Sequence, residues 1–157
     1  MDDINPQQFK EALLNLLGET YENVQGYYLD RGTSLFETLH EVSAAEASIP
    51  VGGKCPTLAA QVKHVAFYLN VLENSIRDPQ YPNADWGEIW RTVSSVTPQE
   101  WQDIQDELRV NYNQIVTLIE NTNSWLDADA IGNIIASIVH SAYHLGEIRQ
   151  ALCTLKS

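Results

Sequence analysis

Positive charge and cysteine are scarce in this sequence. Its 157 residues include nine lysines and arginines against 21 aspartates and glutamates, so the formal net charge is −12 with neutral histidines. Nucleic acids and anionic membrane surfaces are bound by clustered basic side chains, and the charge therefore argues against both as partners. The two cysteines, Cys55 and Cys153, are too few for a disulfide framework and lack metal-site spacing. We expect them to be free thiols that only pack against their neighbours.

Long hydrophobic runs are missing as well. The most apolar stretch, 131–139, is interrupted by Gly132, Asn133 and Ser137, which leaves it too short and too polar to span a membrane. The N-terminal residues lack the basic and then apolar pattern of an export signal. These absences predict a cytoplasmic protein. Its length and its hydrophobic content of 44% predict a single domain over 1–157 with a packed core.

Amphipathic segments with helical spacing of apolar residues make up most of the chain. Helix-start signals are clear at Asn5-Pro6, where asparagine can cap and proline suits the first turn, and at Thr97 to Glu100, which form a capping box. No segment alternates as a strand does. The pattern predicts four long helices: about 6–24, from 56 or 57 to near 78, from 97 to about 122, and from a start within 127–131 almost to the last residue.

These segments indicate an all-α fold, and four long helices without a sheet are typical of a four-helix bundle. A shorter helix is expected from Ser34, followed by a loop over 47–55. The connection between the second and third long helices, 79–96, is expected to be irregular and long enough to cover an opening of the bundle. That length also permits a crossover topology.

The histidines are the residues best suited to chemistry. His140 and His144 are four residues apart on the predicted last helix, so they lie one turn apart on one side and can bind the same ion. His64, on the second long helix, can complete a set of three nitrogen ligands if the two helices are neighbours. Three imidazoles leave open coordination positions for water or substrate, as in catalytic metal sites. Imidazole favours zinc or nickel, with iron and manganese after them.

Other interpretations of the polar residues stay open. Paired histidines at this spacing also occur as hydrogen-bonded core groups that bind no metal. Glu147, three residues after His144, can orient an imidazole, hydrogen-bond a bound water or act as a catalytic base, or it can be a solvated carboxylate. Glu37 and His40 match half of the Glu-x-x-His ligand set of di-iron bundles, but no second unit exists, so His40 is expected at the surface or boundary.

His64 in the second long helix, the run from Ala142 to Gly146 after His140, and the run 28–39 resemble the DinB-like family. The resemblance extends over essentially the whole chain. It implies a four-helix bundle, often a homodimer, in which His64, His140 and His144 hold a divalent metal. Members of the family include bacillithiol- and mycothiol-dependent transferases, which implies a small-molecule substrate and a low-molecular-weight thiol as a second cofactor.

Two hypotheses of function from different classes follow. The first is a metal-dependent enzyme in which the ion activates a thiol for transfer to an electrophile, or a water for hydrolysis. The residues do not distinguish these two reactions, whereas the family resemblance favours the thiol S-transferase. The second hypothesis is a non-catalytic dimeric binding or stress-response module in which a structural metal braces the bundle.

Overall fold

The computed structural model describes residues 5–53, 55–78, 80–122, 125 and 127–155, and this part of the chain is helical without a β-strand. Strand-like pairing within it amounts to one isolated bridge, between Pro50 and Thr57. The all-α class expected from the sequence is therefore confirmed. In chain order the helices of the described residues are α1 (Pro6–Tyr21), α2 (Leu35–Leu39), α3 (Ala44–Ala47), α4 (Leu58–Arg77), α5 (Glu88–Thr92), α6 (Pro98–Asn121) and α7 (Ala128–Leu155).

Polar caps explain where the helices begin. The side chains of Asn5, Thr57 and Thr97 accept hydrogen bonds from backbone N–H groups in the first turns of α1, α4 and α6. Ser34 begins α2 with a capping box, and Asp127 accepts two N–H bonds at the start of α7. Each cap satisfies N–H groups that have no partner inside the helix. The predicted starts of these helices are therefore confirmed.

Helix α1 ends at Tyr21 rather than near residue 24, because Glu19 redirects the chain. The Glu19 side chain is fully buried, and its carboxylate accepts backbone N–H bonds from Gln25, Tyr27, Tyr28 and Leu29 at 2.9, 2.8, 2.6 and 2.7 Å. Burial alone would raise the pKa of Glu19, but the four N–H donors lower it to about 2. The loop after α1 thus wraps around one charged side chain, which the sequence analysis did not single out.

The two connections expected to be loops contain short helical pieces. Within 47–55, residues Val51–Gly53 form a 3₁₀ turn in which Gly52 has a φ of 58°. The connection over 79–96 was expected to be irregular, and this expectation is wrong for residues Glu88–Thr92, which form α5. This helix packs against α4 and buries Ile89. A helix of five residues is too short to leave a periodic signal in the sequence.

The long helices share one core. Both α1 and α4 pack against α6 and against α7. The Tyr21 hydroxyl is 2.5 Å from the Ser141 hydroxyl, which links α1 to α7 inside the core, and the Trp101 indole N–H donates to the Val42 carbonyl at 2.7 Å. The packing of α4 against α7 brings the second and last long helices together, as the predicted metal site requires. The largest fully buried side chains are Tyr21, Leu17, Leu35, Leu39, Leu58, Leu69, Leu108, Ile115, Ile119, Ile134, Leu145 and Ile148.

None of the helices in the described residues has both the length and the apolar composition that a membrane span requires. This finding agrees with the interrupted hydrophobic run noted in the sequence.

Candidate metal centre

Three histidines from two packed helices meet at one point. His64 lies on α4, and His140 and His144 lie one turn apart on α7. Each ring offers one nitrogen, and these three atoms lie within 4.8 Å of one another. The Nε2 atoms of His64 and His140 are 3.1 Å apart. Two nitrogen ligands about 2.1 Å from a tetrahedral ion lie roughly 3.4 Å from each other, so the cluster has the dimensions of a metal site.

Aromatic rings support two of these imidazoles. Tyr68, one turn after His64 on α4, stacks on His140 with the ring centroids 3.6 Å apart and 14° between the planes. Trp90, on α5, lies against His64 with the centroids 4.5 Å apart. The connection between α4 and α6 therefore covers the cluster with an indole ring. Both contacts restrict the orientation of the imidazoles before any ligand binds.

The imidazoles are neutral near neutral pH. Burial and the nearby His144 together lower the pKa of His64 to about 4. Burial and the same neighbour also bring the pKa of His140 to about 4. Burial lowers the pKa of His144, while the Glu147 carboxylate acts in the opposite direction. Since only a neutral imidazole has a lone pair to give to a cation, the cluster is ready to coordinate one.

Two buried ring nitrogens, Nδ1 of His64 and Nδ1 of His144, have no hydrogen-bond partner among the described residues. Nδ1 of His144 does have the Glu147 carboxylate nearby, with Oε2 2.8 Å away, so the more isolated of the two nitrogens is that of His64. Buried polar atoms are rarely left without a partner. Three neutral imidazoles, two of which have a ring nitrogen without a hydrogen-bond partner among the described residues, are a donor set that suits borderline divalent ions such as zinc or nickel. The residues at this point thus fit such an ion.

The other candidate residues fall into two groups. Glu147 is the candidate that lies against the cluster, in contact with His144 rather than with His140. His40 is exposed and does not join the cluster, and Glu37 caps α2 instead of facing a metal site. Cys55 is exposed, as is Cys153. Neither thiol belongs to the group of ligating atoms found in the described part of the chain.

A cavity of about 700 Å³ opens beside His144. Its walls come from α4, α5, α7 and the segment before α4, and they include Cys55, Gln61, Trp90, Tyr143, His144 and Glu147. Gln61 is buried, and its Oε1 has no hydrogen-bond partner within the part of the chain that the structure describes. The sequence analysis missed Gln61, although its position three residues before His64 puts both side chains on one side of α4. The cavity gives a small molecule access to the histidine cluster.

Comparison with known proteins adds no relative. No protein-family model, curated protein or solved structure matches the chain. The features of this chain that point to a function are therefore the three histidines, their aromatic supports and the cavity beside them.

Proposed function

We propose that the protein is a divalent-metal-binding four-helix bundle of the DinB-like type, in which His64, His140 and His144 are the protein ligands. The observation that carries this proposal is the convergence of three imidazole nitrogens, from two helices, within 4.8 Å of one another. The low pKa of His64 and His140 supports it further, because neither ring has to lose a proton to bind a cation at neutral pH.

The cavity favours a catalytic role over a structural one. A structural metal site is closed by four protein ligands, whereas this cluster supplies three and opens towards a cavity through His144. A divalent ion held by three imidazoles has open positions at which it lowers the pKa of a bound water or thiol. The protein is then a metal-dependent enzyme for a small molecule, with thiol S-transfer and hydrolysis as the two candidate reactions.

The surrounding residues have defined parts in this proposal. Tyr68 holds the ring of His140 in a fixed direction, and Trp90 does the same for the ring of His64. Glu147 contacts His144 and lines the cavity, so its carboxylate can accept a proton from the group that enters. Neither cysteine is among the ligating atoms, although Cys55 lies in the cavity wall, and in this proposal the reacting thiol is supplied by a small molecule.

Elemental analysis of the untagged protein tests the ligand set. Protein produced in metal-supplemented medium and then freed of loosely held ions should retain about one divalent ion per chain. His140→Ala and His64→Ala should each abolish stoichiometric binding. His40→Ala is the matched control, because this exposed histidine lies outside the cluster, and it should retain the ion. Wild-type protein without a stoichiometric ion, or His140→Ala with unchanged content, would overturn the assignment.

A second measurement separates a catalytic ion from one that only braces the bundle. An ion with open positions should take up an added thiol, which a cobalt-substituted sample would report as a new sulfur-to-metal absorption band. An ion closed off by protein ligands should raise the melting temperature and give no such band. The second result would favour the non-catalytic binding module instead.

A further inference from the structure

The cavity beside His144 is lined by two hydrogen-bond acceptors, the amide oxygen of Gln61 and the carboxylate of Glu147. Gln61 lines the cavity and is 8% exposed, and none of the described residues gives its Oε1 atom a hydrogen bond. The terminal torsion of glutamine is broad, so the amide can turn this oxygen towards a ligand at little cost. Glu147 lines the same cavity with a side chain that is 41% exposed, and its carboxylate interacts with His144 and with the Tyr143 hydroxyl. A carboxylate offers about four lone-pair sites, so it can accept a further hydrogen bond from a ligand. Both groups call for a hydrogen-bond donor.

Aromatic side chains stand in the same walls. The indole of Trp90 and the phenol ring of Tyr143 line the cavity together with the two acceptors. Both rings remain well exposed, and neither is closed off by the core. The negative face of an aromatic ring attracts cations, and tryptophan is the strongest of the side chains in this respect. A carboxylate, an amide oxygen and two rings therefore converge on one volume.

From this combination we propose that the cavity recognises a primary ammonium group on a small organic ligand, with Glu147 and Gln61 as its hydrogen-bond acceptors and Trp90 against its cationic end. An ammonium has three N–H donors and no acceptor, which matches two acceptors and leaves one donor for water. The overall charge of −12 adds a long-range attraction for a cationic ligand. The cavity volume of about 700 Å³ accommodates a metabolite-sized molecule.

This inference rests on the proposed function in that it names the substrate class of the same site. The cavity borders His144, so an ammonium held by Glu147 and Gln61 would leave the rest of the ligand beside the histidine cluster. Substrates of the proposed enzyme would then carry a primary amine at short range from the thiol, hydroxyl or ester that reacts. An anionic substrate without an amine would be disfavoured by the Glu147 carboxylate.

Calorimetric titration of the metal-free protein, held in chelator at neutral pH, tests the ammonium site without the ion. The probes are 2-phenylethylammonium, 2-phenylethanol and 3-phenylpropanoate, which share the ring and differ in the charge of the end group. We expect the amine to bind about tenfold more tightly than the alcohol, and the carboxylate to bind more weakly than either. Equal binding of amine and alcohol, tighter binding of the carboxylate, or no binding of the amine would overturn the proposal.

Two variants locate the binding. Glu147→Gln should lower the affinity for the amine about tenfold and leave the affinity for the alcohol unchanged, and Gln61→Leu should lower amine binding in the same direction. Glu120→Gln, on α6 outside the cavity walls, removes the same charge and should change nothing. An amine preference that survives both cavity variants would overturn the proposal. Circular dichroism verifies that each variant is folded.

The two proposals fail separately. If the amine preference holds and elemental analysis finds no ion, the metal assignment alone is wrong. If the ion is bound and the amine preference is absent, the ammonium site alone is wrong.

Discussion

The ring of Tyr68 lies flat on the ring of His140, 3.6 Å away between centroids. Tyr68 belongs to α4 and His140 to α7, so one stacking contact joins the two helices that supply the histidine cluster. His64 is one turn before Tyr68, and its Nε2 is 3.1 Å from Nε2 of His140. Helix α4 therefore provides both one histidine of the cluster and the aromatic surface that orients a second one.

Removing the stacking contact between Tyr68 and His140 should weaken metal binding. Tyr68→Leu should reduce the affinity for a divalent ion about tenfold, since partners that orient a ligand typically matter to this extent. Tyr68→Phe keeps the ring and should bind the ion as the wild type does. Competition with a chromophoric chelator gives the dissociation constants. Unchanged affinity in Tyr68→Leu would mean that the stacking contact does not orient His140.

The buried Glu19 makes stability depend on pH in the acid range. Its folded pKa of about 2 lies below the ordinary 4.5, so its contribution is present above about pH 4.5 and is lost as the pH falls towards 2. Glu19→Gln should lower the melting temperature at neutral pH by about 5 to 10 °C, because two of the N–H donors would face an amide NH₂ group. The difference from wild type should shrink near pH 3.

Thermal melts followed by circular dichroism measure the effect of Glu19. Glu41→Gln, at an exposed loop position, removes an equal charge and should melt as the wild type does. A Glu19→Gln variant with wild-type stability would show that the four N–H contacts contribute little.

The histidine cluster gives a second pH window when no metal is bound. The folded pKa values of His64 and His140, about 4, lie below the ordinary 6.5, so the unfolded chain binds more protons between these limits. In chelator, the free energy of unfolding should be fully developed above pH 6.5 and should fall as the pH drops towards 4. Urea titrations across this range provide the measurement. His140→Leu should flatten the dependence, and His40→Ala should leave it as it is.

Exposed apolar residues on α7 are the contact surface that we expect for the predicted homodimer. Ile135, Val139 and Tyr143 follow one another at intervals of four and are 41%, 61% and 61% exposed. Such a stripe is typical of a contact surface. We expect Val139→Glu to convert a dimer into a monomer in light scattering, with Val110→Glu on α6 as the control, because Val110 is similarly exposed. A wild-type protein that is already monomeric would contradict the prediction.

Features encoded by near neighbours in the sequence were predictable. Caps at Asn5, Thr57 and Thr97 act within one turn, so the helix starts follow from a few adjacent residues. The spacing of His140 and His144 is local as well, because two residues four apart always share a side of a helix. These short-range relations gave the long helices and the histidine pair on α7.

Features that depend on tertiary contacts were not predictable from one sequence. The end of α1 follows from Glu19 binding backbone N–H groups six to ten residues later, and backbone atoms carry no residue-specific signal. The ring of Trp90 reaches His64 from a separate short helix. Gln61 is recognisable as a site residue only in the structure, where its amide oxygen has no hydrogen-bond partner among the residues described. The convergence of His64 with the pair on α7 required that α4 and α7 be neighbours, which periodicity alone left open.

The way Glu19 holds residues 25–29 has a consequence for sequence divergence. All four of its contacts there are to main-chain N–H groups, so these four hydrogen bonds do not depend on which side chains the donating residues carry. Related chains that keep the carboxylate could exchange the residues at the four donating positions and keep these bonds, except for proline, which has no N–H. Gly26 is different, because its φ of 94° favours glycine. A single conserved acid would then preserve a shape that comparison of the loop sequences themselves could not reveal.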